Sequence, residues 1–200
     1  MAQDRTRVVI TGMGAMTPLG QTPEAFWDNL VAGISGIGPM TLCDPTDYPC
    51  RISGEVSDFD PGQYMNPKEA RRMARFSQLA VASALTAVES ADLDISKEDP
   101  FRVGVVLGNG NGGFPTLEEN CRVLADKGGM KMTPFFFPMI LPNMAAATVS
   151  RLLGAQGYNS TATTACAASN QAMGEAMEVI RRGSADVVLA GGTEAGISQL

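Results

Sequence analysis

The feature that most constrains the fold is a repeated order of short apolar run, glycine-rich turn and helix-forming stretch. Arg7-Val-Val-Ile10 reads as a strand and ends in Thr11-Gly-Met-Gly14, after which Thr22-Pro-Glu24 opens a helix. Thr22 is its N-cap, and Pro23 sits in the first turn, where a missing N–H costs nothing. Gly33 suits the left-handed residue that closes it. Residues 33–65 are rich in Gly, Pro and Asp and form a long irregular excursion with one short strand over 51–56. Asn66-Pro-Lys-Glu69 has the form of a capping box and starts a long helix reaching about residue 92. Its apolar positions Met73, Phe76, Ala80, Ala84, Ala87 and Val88 recur at three and four, which makes one buried stripe. A buried strand over 102–107 leads into Gly108-Asn-Gly-Asn-Gly-Gly113. Helices over 116–127, 142–153 and 167–182 and strands over 157–165 and 186–190 complete the pattern. Strands alternating with helices across short turns specify an α/β sheet with helices on its faces.

At 200 residues the chain is long enough for one domain with a sizeable core. Hydrophobic residues make up 44% and charged residues 18%, a globular balance that argues against disorder. No apolar run approaches the roughly 20 residues of a membrane span. The polar start, Met1 to Arg7, argues against a signal peptide, and the cytoplasm is the expected location. A net charge of −6 argues against a nucleic-acid binder. The four cysteines, Cys43, Cys50, Cys121 and Cys166, contain no C-x-x-C pair, so zinc spacing is absent and free thiols are expected. There is no histidine, which removes the commonest general base and metal ligand. The end at Leu200, just after Gly191-Gly-Thr-Glu194, would leave a sheet edge unpaired, and the chain reads as a fragment.

Thr161-Ala-Thr-Thr-Ala-Cys166-Ala-Ala-Ser-Asn170 is the most informative stretch. A strand precedes it, and a helix with Ala172, Met173, Ala176, Met177 and Ile180 on one face follows, capped by Gly183. Cys166 is therefore placed at a helix N-terminus, where unpaired N–H groups and the helix dipole favour a thiolate. Its small neighbours leave room for a substrate to reach the sulfur, and the backbone N–H at such a turn can help bind an oxyanion. The other reading makes Cys166 a small buried hydrophobe, as most free cysteines are.

Thr164-Ala-Cys-Ala167, followed by Ala190-Gly-Gly-Thr-Glu194, resembles the active-site signature of β-ketoacyl synthases. Other matching pieces occur in order: Val9-Ile-Thr-Gly-Met-Gly14, Thr17-Pro-Leu-Gly20, Gly33-Ile-Ser-Gly-Ile37, Lys68-Glu-Ala-Arg-Arg-Met73, Leu107-Gly-Asn-Gly-Asn-Gly-Gly113 and Thr133-Pro-Phe-Phe136. Each is weak alone, and together they span nearly the whole chain. The resemblance implies an elongating β-ketoacyl-acyl-carrier-protein synthase of type II and a thiolase-like fold, residues 1–200 being the N-terminal half of a duplicated, layered α/β arrangement with its sheet incomplete at residue 200. It further implies a homodimer and Cys166 as the nucleophile that accepts the acyl chain from a carrier protein. Malonyl-carrier protein then loses CO₂, and its carbanion attacks the acyl thioester. No metal and no resident cofactor are implied, since phosphopantetheine arrives on the carrier protein. The family's two histidines lie in the other half, so these residues alone cannot run the full elongating mechanism. The alternative is a non-catalytic half-fold that binds an acyl carrier protein or a full synthase. A chain-length factor is disfavoured by the presence of Cys166, and a thiolase or a starter-unit synthase by the order of the motifs.

Lys68, Arg71, Arg72 and Arg75 fall at i, i+3, i+4 and i+7, one face of the long helix. A solvated face is the plain reading. The resemblance implies that Lys68, Arg71 and Arg72, together with Lys131, meet the acidic carrier protein. It also places Asn111, Phe136 and Phe137 at the acyl pocket, where an amide floor and a bulky ring would favour short or polar-tipped acyl groups. Gly12-x-Gly14 lacks the third glycine of a dinucleotide fingerprint, and Gly108 to Gly113 lacks the Gly-Lys-Ser/Thr of a phosphate-binding loop. These glycines are expected to serve tight turns and close backbone packing.

Overall fold

The computed structural model describes residues 6–199. Helix α1 (Pro23–Val31) is followed by a small antiparallel pair, β1 (Ile37–Pro39) and β2 (Ile52–Gly54). Next come α2 (Pro67–Ala70), α3 (Arg75–Ser90), β3 (Val103–Gly108), α4 (Phe114–Lys127) and α5 (Phe136–Ile140). The chain continues through α6 (Met144–Leu153), β4 (Asn159–Ala162), α7 (Ala168–Arg181) and β5 (Val187–Gly192). Strands β4, β3 and β5 form a parallel sheet in that order, with Val105 opposite Asn159 on one side and Leu189 on the other.

All six residues of β3 are buried, which explains why its sequence, Val-Gly-Val-Val-Leu-Gly, is apolar without alternation. A central parallel strand is covered on both faces and has no side to give to water. Val103, Val105 and Leu107 point to one face and pack with Phe76, Val81, Ala145, Ala146 and Val149 from α3 and α6. Val106 points to the other and packs with Ala162, Ala172 and Ala176 beneath α7. Each of the valines fully buried here contributes about 1.5–3 kcal/mol. Gly108 is fixed by contact: a Cβ there would run into the backbone of Ala168 at the start of α7. Any larger residue would push α7 off the end of β3.

Three expectations require correction. Residues 7–10 join no ladder, and Val9 and Ile10 are 63% and 69% exposed; the apolar run is there, but no described strand lies beside it. Gly12 and Gly14 instead lie against the backbone of α3 at Ala87 and Ser83, so both are there for close approach. Second, the long helix is broken between α2 and α3. Ala74 takes an extended conformation, Met73 and Ala74 are buried, and the Gln78 side chain crosses the break to donate to the Ala70 carbonyl at 2.8 Å. Asn66 caps α2 through Lys68 N–H, but Glu69 pairs with Arg151 rather than closing a box. Third, the buried stripe of α7 is Ala168, Ala172, Ala176 and Val179, while Met173 is exposed.

Candidate active site

Strand β4 delivers the chain to a tight turn at its C-terminal end. Ala162 is its last residue, and a single 3-10 turn over Ala165–Ala167 precedes α7. Ala165 has φ +50°, a left-handed conformation that costs an alanine about 1–2 kcal/mol. Such strain in a non-glycine residue persists only where the surroundings hold it. The turn presents Cys166 to solvent, while Ala168 behind it is buried against β3. The reading of Cys166 as a small buried hydrophobe is thus incorrect. The Thr164 carbonyl takes the Ala167 N–H at 3.1 Å, and the Ala165 carbonyl takes the Ala168 N–H.

The ends of all three strands converge beside this turn. Asn109, buried at the end of β3, donates its N–H to the Ala162 carbonyl at 3.0 Å. Its side chain donates to the Thr193 carbonyl and accepts from Gly112 N–H, both at 2.6 Å. Glu194 accepts from the N–H groups of Gly110 and Asn111 at 2.8 and 3.1 Å. Glu194 thereby holds the Asn111 backbone next to Gly110, which lies against the Cys166 turn at Ala165, although the Asn111 side chain is exposed. Phe136 and Phe137 lie together on α5, ring centroids 5.3 Å apart and edge to face. Phe136 is half-buried, whereas Phe137 is 67% exposed.

The basic residues do not share one helix face. Arg75 turns inward: its guanidinium lies 5.0 Å from the Phe59 ring centroid and donates to the Val56 carbonyl. Arg72 lies 4.8 Å over the Phe135 ring. Lys68, Arg71 and Arg72 are exposed around the break. A hydrogen bond from Arg151 holds the Glu69 carboxyl below its usual pKa, helped by the charges of Arg151, Arg72 and Lys68. Arg71 and Lys131 line one groove of about 500 Å³ with Pro115, Glu119 and Asn120. Lys131, distant in sequence, is thus brought to Arg71.

A family model described as the β-ketoacyl synthase N-terminal domain matches residues 5–200. The chain belongs to this family. The 3-oxoacyl-[acyl-carrier-protein] synthase 2 of Synechocystis sp. is 43% identical over 197 residues, 98% of this chain and 47% of that protein. The enzyme of the same name from Staphylococcus aureus (strain COL) is 43% identical over 200 residues, 100% of this chain and 48% of that protein. The chain spans about half the length of these curated relatives. Among solved structures, the ishigamide ketosynthase/chain length factor superposes with a TM-score of 0.90 at 30% identity, over 98% of this chain and 49% of that one. A β-ketoacyl synthase from Burkholderia phymatum gives 0.83 at 29%, covering 96% and 48%. A type II PKS acyl-carrier protein in complex with its ketosynthase gives 0.80 at 29%, covering 96% and 51%. The fold is the α/β, thiolase-like arrangement of these ketosynthases. In this β-ketoacyl synthase N-terminal domain, Cys166 lies exposed on the turn between β4 and α7. Asn109 and Glu194, to which the sequence alone assigns no role, hold the strand-end cluster together. The glycine run ahead of Asn111 and the acid closing Gly-Gly-Thr-Glu194 were the available signals.

Among the described residues, no helix is long and apolar enough to cross a membrane, and no cluster of His, Cys, Asp and Glu has the makings of a metal site.

Proposed function

We propose that this chain supplies the acyl-accepting half of a β-ketoacyl-acyl-carrier-protein synthase, with Cys166 as the nucleophile. The observation that carries this reading is the exposed Cys166 on a strained strand-to-helix turn, in a chain belonging to the ketosynthase family. The sulfur attacks the carbonyl of a carrier-bound acyl thioester, the pantetheine thiol leaves, and the acyl group remains on Cys166. Negative charge on the carbonyl oxygen is met by the backbone N–H at the turn. Malonyl-carrier protein then loses CO₂, and its carbanion attacks the acyl thioester and releases the cysteine thiolate. The 200 residues contain no histidine, so acyl acceptance is the step that they carry themselves.

The partner is an acyl carrier protein, approached through Lys68, Arg71, Arg72 and Lys131. Arg71 and Lys131 line one groove and Lys68 and Arg72 are exposed, which supports this on a chain of net charge −6, because local basic charge steers an acidic partner. Asn111, Phe136 and Phe137 contact the acyl chain and favour short or polar-tipped groups. The intact protein works in the cytoplasm as a homodimer, in fatty acid or polyketide elongation. It needs no resident cofactor or metal, since phosphopantetheine arrives with the carrier.

The test is product formation by the intact protein supplied with acyl- and malonyl-carrier protein. A 3-oxoacyl-carrier product that disappears in Cys166→Ala is expected. Carrier binding without product or acylated intermediate would contradict the reading and favour a non-catalytic binding module.

A further inference from the structure

We propose that Glu194 is a positioning residue for acyl transfer, fastening the 109–112 loop beside the Cys166 turn. The inference rests on Cys166 being the acyl acceptor. Glu194 stands two residues beyond β5, and its Oε2 accepts from the consecutive N–H groups of Gly110 and Asn111. Consecutive backbone amides converging on one oxygen form a nest for an anion, and here the chain's own carboxylate fills it. Bonds to an ionised acceptor are roughly twice as strong as neutral ones.

The clipped loop has two neighbours. Towards the nucleophile, a Cβ added at Gly110 would lie 3.8 Å from Ala165 Cα, the strained residue before Cys166. Away from it, the Gly113 N–H donates to the Ile140 carbonyl at 3.0 Å, and Gly112 also lies against the Ile140 backbone. Ile140 ends α5, the helix that carries Phe136 and Phe137. The loop therefore links the nucleophile turn to the helix proposed to meet the acyl chain. Asn109 holds its buried base, whereas Glu194 is exposed and adds no core packing. A loop with glycine at 110, 112 and 113 has little stiffness of its own, so removing the carboxylate lets it spread.

The experiment compares Glu194→Ala and Glu194→Gln with wild type in the intact protein. Two quantities are read: amide exchange at residues 110–112, and the rate of Cys166 acylation by acyl-carrier thioesters. For Glu194→Ala, faster exchange and a roughly 10- to 100-fold slower acylation are expected. KM for the carrier should stay within about twofold, because the basic residues lie elsewhere. Glu194→Gln keeps an acceptor oxygen of the same shape and should fall between the two, at an unchanged melting temperature. Its intermediate rate separates positioning from loss of folding even where the alanine variant is unstable. Wild-type acylation together with unaltered rates in both variants would overturn this inference alone. A wild-type protein that is never acylated would overturn the proposed function and this inference with it.

Discussion

Arg71 and Lys131, far apart in sequence, line the same groove, while Arg75, four residues beyond Arg71 and across the break between α2 and α3, is turned inward onto Phe59. The basic row therefore divides into residues facing solvent and one that serves the fold. Charge reversal at Arg71 or Lys131 should weaken transfer from an acyl carrier protein several-fold. The loss should be steeper at low salt, where exposed charges are least screened. Arg72→Glu should act in the same direction and also lose the Phe135 contact. Rates measured between low and physiological salt check this, and unchanged rates would contradict it.

Arg75→Ala should cost stability rather than carrier recognition. Its half-buried guanidinium covers Phe59 and satisfies the Val56 carbonyl, so about 1–3 kcal/mol should be lost. Lys68→Ala and Arg71→Ala should stay within about 0.5 kcal/mol of wild type. Denaturant melts of the three variants decide between a structural and a solvated role.

At Ala165 the backbone is left-handed with no glycine to permit it. Ala165→Gly should relieve about 1 kcal/mol of that strain and raise the melting temperature. Ala165→Val should destabilise the protein and slow alkylation of Cys166 by iodoacetamide, since a β-branched residue tolerates this conformation worst. Equal melting temperatures for wild type and both variants would show that the turn carries no strain.

Glu55 predicts a pH dependence. Burial alone would raise its carboxyl pKa, but hydrogen bonds from the Thr41 hydroxyl and amide, the Ser53 hydroxyl and the Leu42 amide outweigh this and bring it to about 2. A carboxyl depressed on folding stabilises the protein above its unfolded pKa of about 4.3, and this contribution disappears as pH falls through the folded value. Wild type should therefore exceed Glu55→Gln in stability at neutral pH, and the gap should shrink from about pH 4.3 towards 2. A gap constant across that range would contradict the assignment.

The parts of the fold visible in the sequence are those whose signals are local. β3 announces itself by an uninterrupted apolar run, and α7 by apolar residues at helical spacing and by Gly183, which has φ +75° as a helix-closing residue should. The break between α2 and α3 was invisible because Arg71-Arg-Met-Ala74 are all good helix formers; burial of Met73 and the reach of Arg75 to Phe59 override propensity. Residues 7–10 have a strand's composition, but pairing is non-local and composition cannot supply a partner. The strand-to-helix turn that carries Cys166 was legible from the small residues and motif around it. The contacts of Glu194 were not, because they are made to a loop more than eighty residues earlier.

The most direct test of the central claim is the intact mass of the protein before and after incubation with an acyl-carrier thioester, alongside Cys166→Ala. The account predicts a gain of one acyl group per chain that is absent from Cys166→Ala. An adduct that persists in Cys166→Ala, or no adduct in wild type, would contradict it.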